Sequence, residues 1–281
     1  MKYNTKFSLV LATLGRINPV DDFLQSICVQ DYPIELIEVV VVDQNIEPVL
    51  DDVIRKYNDH ISITHIRSSV TGLSVNRNIG IRHCSGDIIS FPDDDCLYPA
   101  DTLRKVAKYM SEKKLSFILG KIWDNKINKD AFRSWPSKNK RITKWNFYRL
   151  TSSITLFTKV HDIYFDERFG VGAKYGSNED TAFIYTLLCN SYSGNYNKDV
   201  VIYHEDQPIN KLPMNKVASY SYGFGKFSRC YLSVPILYIF FLSLLFQIIN
   251  MLISFVKIDR DSLIYRFISF KKRLYGFMSV K

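Results

Sequence analysis

Three consecutive carboxylates, Asp93-Asp94-Asp95, follow the apolar run Ile88-Ile89-Ser90-Phe91 and Pro92. Adjacent acids repel one another, so a fold that packs them at a strand end normally supplies a compensating cation, and hard oxygen ligands suit Mg²⁺ or Mn²⁺. The plain alternative is a solvated acidic turn. A second acidic pair, Glu179-Asp180, follows three glycines (170, 172 and 176) and opens an apolar helical run over 181–188. Glycines permit close backbone approach to a ligand and a helix start can hold the pair rigidly; standing alone, the pair also reads as favourable first-turn acids. Arg77 lies in Asn76-Arg77-Asn78-Ile79-Gly80, shortly before the strand that delivers the carboxylates. A guanidinium there can meet a diphosphate bidentately, although an isolated Arg is more often an exposed ion-pair partner. His204 ends the run Val200-Val201-Ile202-Tyr203, as a possible metal ligand or, more commonly, a structural histidine.

The elements that must position these groups alternate. Residues 7–14 and 37–42 read as strands buried on both faces, 61–66 as a third strand and 88–91 as a fourth. Between them, 19–30 has helical spacing with Asp21 and Asp22 in its first turn, 49–58 reads as a second helix, and 72–80 leads into a helix to His83. This β-α-β-α-β order implies right-handed crossovers and a parallel sheet, whose carboxyl edge is where such sheets bind ligands. At that edge stand Thr13 and Arg16 in the loop after the first strand and Asp43 after the second. Further on, 102–114 reads as a helix, and 115–120, 152–158 and 200–204 as strands.

The net charge of +9 is concentrated. Residues 121–144 carry +6 and 257–281 carry +5, leaving about −2 for the rest. Two basic patches on a near-neutral body point to anionic surfaces or ligands rather than a protein basic throughout. Trp123, Phe132, Trp135 and Trp145 interleave with the first patch, but no regular nucleic-acid motif accompanies them. We read the stretch as a loop near the active site and expect no nucleic-acid partner. The five cysteines form no C-x-x-C pair and read as reduced thiols. An apolar run of six residues near the amino terminus is too short for a signal-peptide core, which places the catalytic part in the cytoplasm.

Residues 233–256 hold 24 positions without a charge, long enough to cross a bilayer. Basic residues flank the run on both sides, and Pro235, Gln247 and Asn250 interrupt it. These features suit an in-plane or hairpin element at an anionic membrane, with one span as the other possibility. Residues 262–281 mix Leu, Ile, Phe and Tyr with Arg266, Lys271, Lys272 and Arg273 as a surface-bound amphipathic segment does.

The succession of Thr13, Asp43, Asn76 to Gly80, Gly86 to Asp95, the glycine-rich loop, Asn178-Glu179-Asp180 and His204 resembles family 2 glycosyltransferases of the GT-A fold, over residues 7 to about 206. That resemblance implies an α/β fold with a Rossmann-like, mostly parallel sheet flanked by helices. It also implies inverting transfer from a nucleotide-diphosphate sugar, usually a UDP-sugar, with Mn²⁺ or Mg²⁺. It makes Asp93-x-Asp95 the DxD motif, with Asp95 on the metal and Asp93 or Asp94 reaching ribose or a metal-bound water. Thr13, Arg16, Asp43 and Arg77 become nucleotide contacts, His204 a further metal ligand, and Asp180, with Glu179 beside it, the general base. The extra acid of DDD leaves the division of labour open. Expected boundaries are 1–225 for the catalytic domain and 226–281 for a membrane-associating tail at the cytoplasmic face. The expected acceptor is a saccharide, lipid-linked, in capsule, O-antigen or exopolysaccharide assembly. A catalytically inactive binding module and a nucleotidyltransferase are the competing readings; the oligomeric state is left open.

Overall fold

The computed structural model describes residues 4–206 and 212–279; the first three residues and positions 280 and 281 of the predicted tail lie outside the described residues. Strands β1 (Phe7–Thr13), β2 (Ile37–Asp43), β3 (Ser62–Arg67) and β4 (Ile88–Ser90) are mutually parallel in the order β3-β2-β1-β4. Every residue of β1 and β2 is buried, as near-continuous Val, Leu and Ile on both faces requires. Helices α1 (Ile17–Cys28), α2 (Asp51–Tyr57) and α3 (Leu73–Ile81) make the crossovers. Helix α1 starts two residues earlier than its sequence spacing suggests. Asp21 therefore falls outside the first turn and pairs instead with Lys56 of α2, at 2.7 Å.

The chain moves outward from β1 to β3, then returns past β1 to lay β4 on its other side. Such a reversal opens a crevice beyond the strands' carboxyl ends. Strand β4 pairs only with the first part of β1, from Phe7↔Ile88 to Leu9↔Ser90, whereas β1 continues to Thr13 beside Asp43. The residues after Pro92 thus have the bare end of β1 to fold against. Helix α3 lies tight on β1, since a Cβ at Gly80 would stand 2.3 Å from a Val10 methyl carbon, a distance no side chain tolerates.

The second half adds α4 (Thr102–Lys113), β5 (Phe117–Asp124), β6 (Lys129–Asp130), β7 (Lys140–Arg141), β8 (Leu156–Thr158), α5 (Glu179–Cys189) and β9 (Gly194–Tyr203). Strand β8 lies antiparallel between β4 and β5, while β5 and β9 run parallel, so the sheet is mixed beyond β4. Residues 121–144 are not a loop throughout. Strand β5 extends through the first four of them by pairing with the outer half of β9, and β6 and β7 pair with β5 and β9. Residues 153–155 form a 3₁₀ turn ahead of β8 rather than strand.

Three helices follow: α6 (Met214–Cys230), α7 (Val234–Val256) and α8 (Arg260–Met278). Helix α6 runs unbroken across the expected boundary at 225/226. It binds the glycine-rich loop through Ser177 Oγ, which donates to the Tyr220 carbonyl at 3.1 Å, and meets α8 through the Ser221 and Ser269 hydroxyls at 2.8 Å.

Candidate active site

The three acids each find a different environment. Thr13 Oγ1 donates to Asp94 Oδ2 at 2.6 Å, fastening the triplet to the end of β1. Arg16 Nη1 reaches Asp94 Oδ1 at 3.3 Å and bonds Asp95 directly. Arg77 Nη2 donates to Asp93 Oδ1 at 2.7 Å. Burial raises Asp93 and takes Asp94 up to about 6, against the pull of Arg77 on the first and of Thr13 and Arg16 on the second. At Asp95 burial also pushes upward, but the hydrogen bond that a doubly protonated His204 donates and that from Arg16 outweigh it and hold the carboxyl below its ordinary range. Environment thus separates three adjacent carboxyls and makes Asp95 the firmly ionised one.

His204 follows β9 and presents Nε2 to Asp95 Oδ1 at 3.1 Å, while its Nδ1 lies 2.6 Å from the Glu205 carbonyl. A carbonyl only accepts, so Nδ1 carries a proton. In the neutral ring, Nε2 then offers a lone pair to a carboxylate, and two acceptors face one another at hydrogen-bond distance. A cation or an extra proton resolves that conflict, and a divalent ion fits the donor set of one carboxylate oxygen and one imidazole nitrogen. Phe132 packs its ring on His204 at 4.8 Å, and its N–H donates to Asp206 at 2.8 Å. Sequence reasoning placed Phe132 in a loop near the site without giving it this contact. Of the expected metal set, Asp95 and His204 are together, whereas Asp93 is turned to Arg77. Among the described residues no three His, Cys, Asp or Glu side chains converge tightly enough to enclose an ion. Arg16, 47% exposed, supplies positive charge to Asp94 and Asp95 from the loop after β1.

Arg77 departs from the usual exposure of its type. It is 1% exposed, its guanidinium rests over Phe165 at 5.3 Å, and its Nε and Nη1 have no hydrogen-bond partner among the described residues. Phe165, Phe91 and Phe183 pack together behind it, with ring centroids 4.5 to 5.6 Å apart. Buried, unpaired donors are costly unless something occupies them.

The second acidic pair is brought in by hydrogen bonds from α3. Asn78 binds both the N–H and the C=O of Phe165, at 2.8 and 2.9 Å, and Ser74 Oγ donates to the Phe169 carbonyl at 2.6 Å. Gly170, at φ +106°, takes the turn that a side chain would resist; a Cβ there would meet Ser74 Oγ at 2.7 Å. Glu179 Oε1 consequently lies 3.7 Å from Arg77 Nη1. Burial and the adjacent Asp180 push Glu179 up to about 7, against the pull of Arg77. Asp180 Oδ1 accepts from Thr181 N and Oγ1, at 2.6 and 3.1 Å. Asp43 is fully buried: one carboxylate oxygen accepts from Asn45 N and Nδ2, the other lies 3.1 Å from His65 Nε2, and Asn45 in turn binds Gly15 N. It therefore braces the loop that carries Arg16. A cavity of about 260 Å³ beside these groups is lined by Asp22, Asp95, Lys126, Tyr203, His204 and Glu205 among others, so the basic stretch does border the site.

Residues 8–170 match Glycosyl transferase family 2. The chain belongs to this family. Among curated relatives, the poly(ribitol-phosphate) beta-N-acetylglucosaminyltransferase TarS of Staphylococcus aureus is 24% identical over 170 residues, covering 58% of this chain and 30% of that protein. This family 2 chain therefore matches less than a third of that relative's length. The crystal structure of S. aureus TarS 1–349 in complex with UDP-GlcNAc aligns with a TM-score of 0.59 at 20% identity, over 78% of this chain and 66% of that one. The mannosyltransferase PcManGT of Pyrobaculum calidifontis, in complex with GDP-Man and Mn²⁺, aligns with a TM-score of 0.60 at 16% identity, over 80% and 64%. These likenesses establish the fold, a GT-A type mixed α/β architecture.

Proposed function

We propose that the chain is an inverting glycosyltransferase that moves a sugar from a UDP-sugar to a hydroxyl of a saccharide acceptor, lipid-linked, in surface-polysaccharide assembly at the cytoplasmic face of a membrane. The observation that carries the transfer reading is the gathering at one sheet edge of an ionised Asp95, an imidazole nitrogen facing it, and a buried Arg77 that pairs with Asp93 and stands 3.7 Å from Glu179. UDP and UDP-GlcNAc in the TarS structures support the uridine donor.

In this reading Thr13, Arg16 and Asp43 shape the nucleoside end. Arg77, paired with Asp93, supplies buried positive charge beneath the diphosphate. Asp95 and His204 would hold Mn²⁺ or Mg²⁺, with Asp93 and Asp94 tied back by Arg77 and Thr13. The ion would supply positive charge against that developing on the leaving diphosphate. Asp180 takes the proton of the acceptor hydroxyl as its oxygen bonds the anomeric carbon and the bond to the diphosphate oxygen breaks. One such displacement inverts the centre without a covalent intermediate. Asp180 serves because Oδ1 is anchored by Thr181, leaving the other oxygen for the proton, whereas Glu179 is drawn towards Arg77.

The test is a panel of nucleotide sugars, with Mn²⁺ or Mg²⁺ and saccharide or lipid-linked acceptors, read by nucleoside diphosphate release. Metal-dependent release that disappears in Asp95→Ala supports the reading. No release with any donor, or equal release by Asp95→Ala, overturns it.

A further inference from the structure

Helix α7 is amphipathic in an inverted sense. Its polar residues Ser243, Gln247, Asn250 and Ser254 recur at helical spacing on one face, with Gln247 and Ser254 buried and Ser243 and Asn250 half-buried. Its largest apolar residues point outward: Phe241, Leu245, Leu252, Phe255 and Val256 are 50 to 80% exposed. A helix facing water shows the opposite arrangement, so the medium outside α7 is apolar. The stripe is long, and its rim supplies the charge complementarity that identifies the occupant. Trp145, itself exposed, packs edge-on against Tyr238 of α7 at 5.7 Å, which brings the first basic stretch beside the first turns of the helix. Lys138, Lys140, Arg141, Lys271 and Lys272 are exposed, and no ion pair engages them among the described residues. The end of the first basic stretch thus meets α7 through an aromatic, and the helix that carries the second packs along it. Acyl chains beneath anionic headgroups match that combination.

How α7 enters the bilayer follows from its neighbour. Phe240 stacks on Phe277 at 4.4 Å and Arg266 lies over Phe246 at 5.4 Å, so α8 runs antiparallel alongside α7. Lys271 and Lys272, between those two contacts on α8, stand level with the middle of α7. Were α7 to cross the membrane, these exposed ammonium groups would sit near the bilayer centre, where charge is expelled. We infer that α7 lies in the plane of a single leaflet of an anionic bilayer, its outward stripe among the acyl chains and the lysines of α8 and of residues 138–141 at the headgroups, making the chain monotopic rather than spanning. This rests on the membrane attachment proposed above and specifies its geometry.

The full chain is tested with vesicles of phosphatidylcholine containing about a third phosphatidylglycerol, and with pure phosphatidylcholine. Nitroxides are placed singly at 241, 245 and 252 on the outward stripe and at 247 on the inward one, and depth is read by electron paramagnetic resonance accessibility. Equal shallow depths at 241, 245 and 252, with no lipid exposure at 247, are expected. Sedimentation should be stronger with the anionic vesicles and should fall at least tenfold in Leu245→Asp/Leu252→Asp, surface changes that leave the melting temperature and turnover on a soluble acceptor unchanged. A depth that rises and falls across the helix as in a span overturns the in-plane geometry while leaving membrane attachment standing. An active protein that ignores both vesicle types, or that hides the stripe in a dimer dispersed by the Asp pair, overturns both and leaves glycosyl transfer untouched.

Discussion

Replacing Arg77 by Met separates what the buried guanidinium does for the fold from what it does for chemistry. Arg77 is 1% exposed, whereas the Asp93 side chain it pairs with at 2.7 Å is 39% exposed. Exposed pairs contribute about 0–1 kcal/mol, and removing one partner of a buried pair costs about 3–5 kcal/mol. Water reaches one side of this pair, so Arg77→Met is expected to destabilise by about 2 kcal/mol, between those two cases. In a chain of this size that corresponds to a melting temperature lower by roughly 3–4 °C. The loss depends on pH. Burial holds Asp93 above its ordinary range even with Arg77 pulling it down, and in the variant that pull is gone. A carboxyl whose folded-state value exceeds its unfolded one penalises the native state while ionised and ceases to do so once protonated. The deficit should therefore be full near pH 8 and shrink as pH falls through the folded-state value of Asp93. Differential scanning fluorimetry at pH 5 and pH 8 measures it, and Arg77→Met/Asp93→Asn should recover most of the stability without recovering turnover. An equal loss at both pH values, with no recovery in the double variant, would refute the assignment of Arg77's structural role to Asp93.

Asp95→Ala is expected to abolish the rise in melting temperature on adding Mn²⁺ and to lower turnover about 10²–10³-fold; an unchanged Mn²⁺ response excludes Asp95 as a ligand. Asp180→Asn should lower kcat by about 10²–10⁴-fold with donor binding retained, and full turnover in that variant removes it as the base. Wild-type melting temperature should fall as pH rises through about 7, where Glu179, pushed up to about 7 by burial and Asp180, must ionise in the folded protein; Glu179→Gln should remove that fall, and its persistence in the variant assigns it elsewhere. At the opposite end of the sheet Glu38 accepts from Ser8, Ser85 and Lys6, and these bonds outweigh burial and lower its carboxyl to about 2. That stability is complete above the unfolded value and is lost as pH falls towards 2. Glu38→Gln should cost about 2 kcal/mol at pH 7 and less at pH 3, as urea titrations at the two pH values would report.

The alternation of strand and helix through β4, and the placing of three acids at its end, were legible in the sequence because buried parallel strands write continuous apolar runs and Pro92 stops the last of them. Thr13 and Asp43 could be placed at the same edge from that order alone, whereas Arg77 was tied to it only by the family resemblance. Local signals failed where pairing rather than composition sets an element's length: β9 begins six residues before its apolar run because its first half pairs with the inner part of β5. They were silent on side-chain direction. Only tertiary structure buried Arg77 beneath the phenylalanines, turned Asp93 to it and away from Asp95, set His204 under Phe132, and drew Glu179 in through the hydrogen bonds of Ser74 and Asn78. The apolar tail was evident as a run without charge. Which of its faces meets the protein, and that Trp145 and the basic helix α8 pack against it, depends on contacts between residues far apart in the chain, and no periodicity within one segment can encode them.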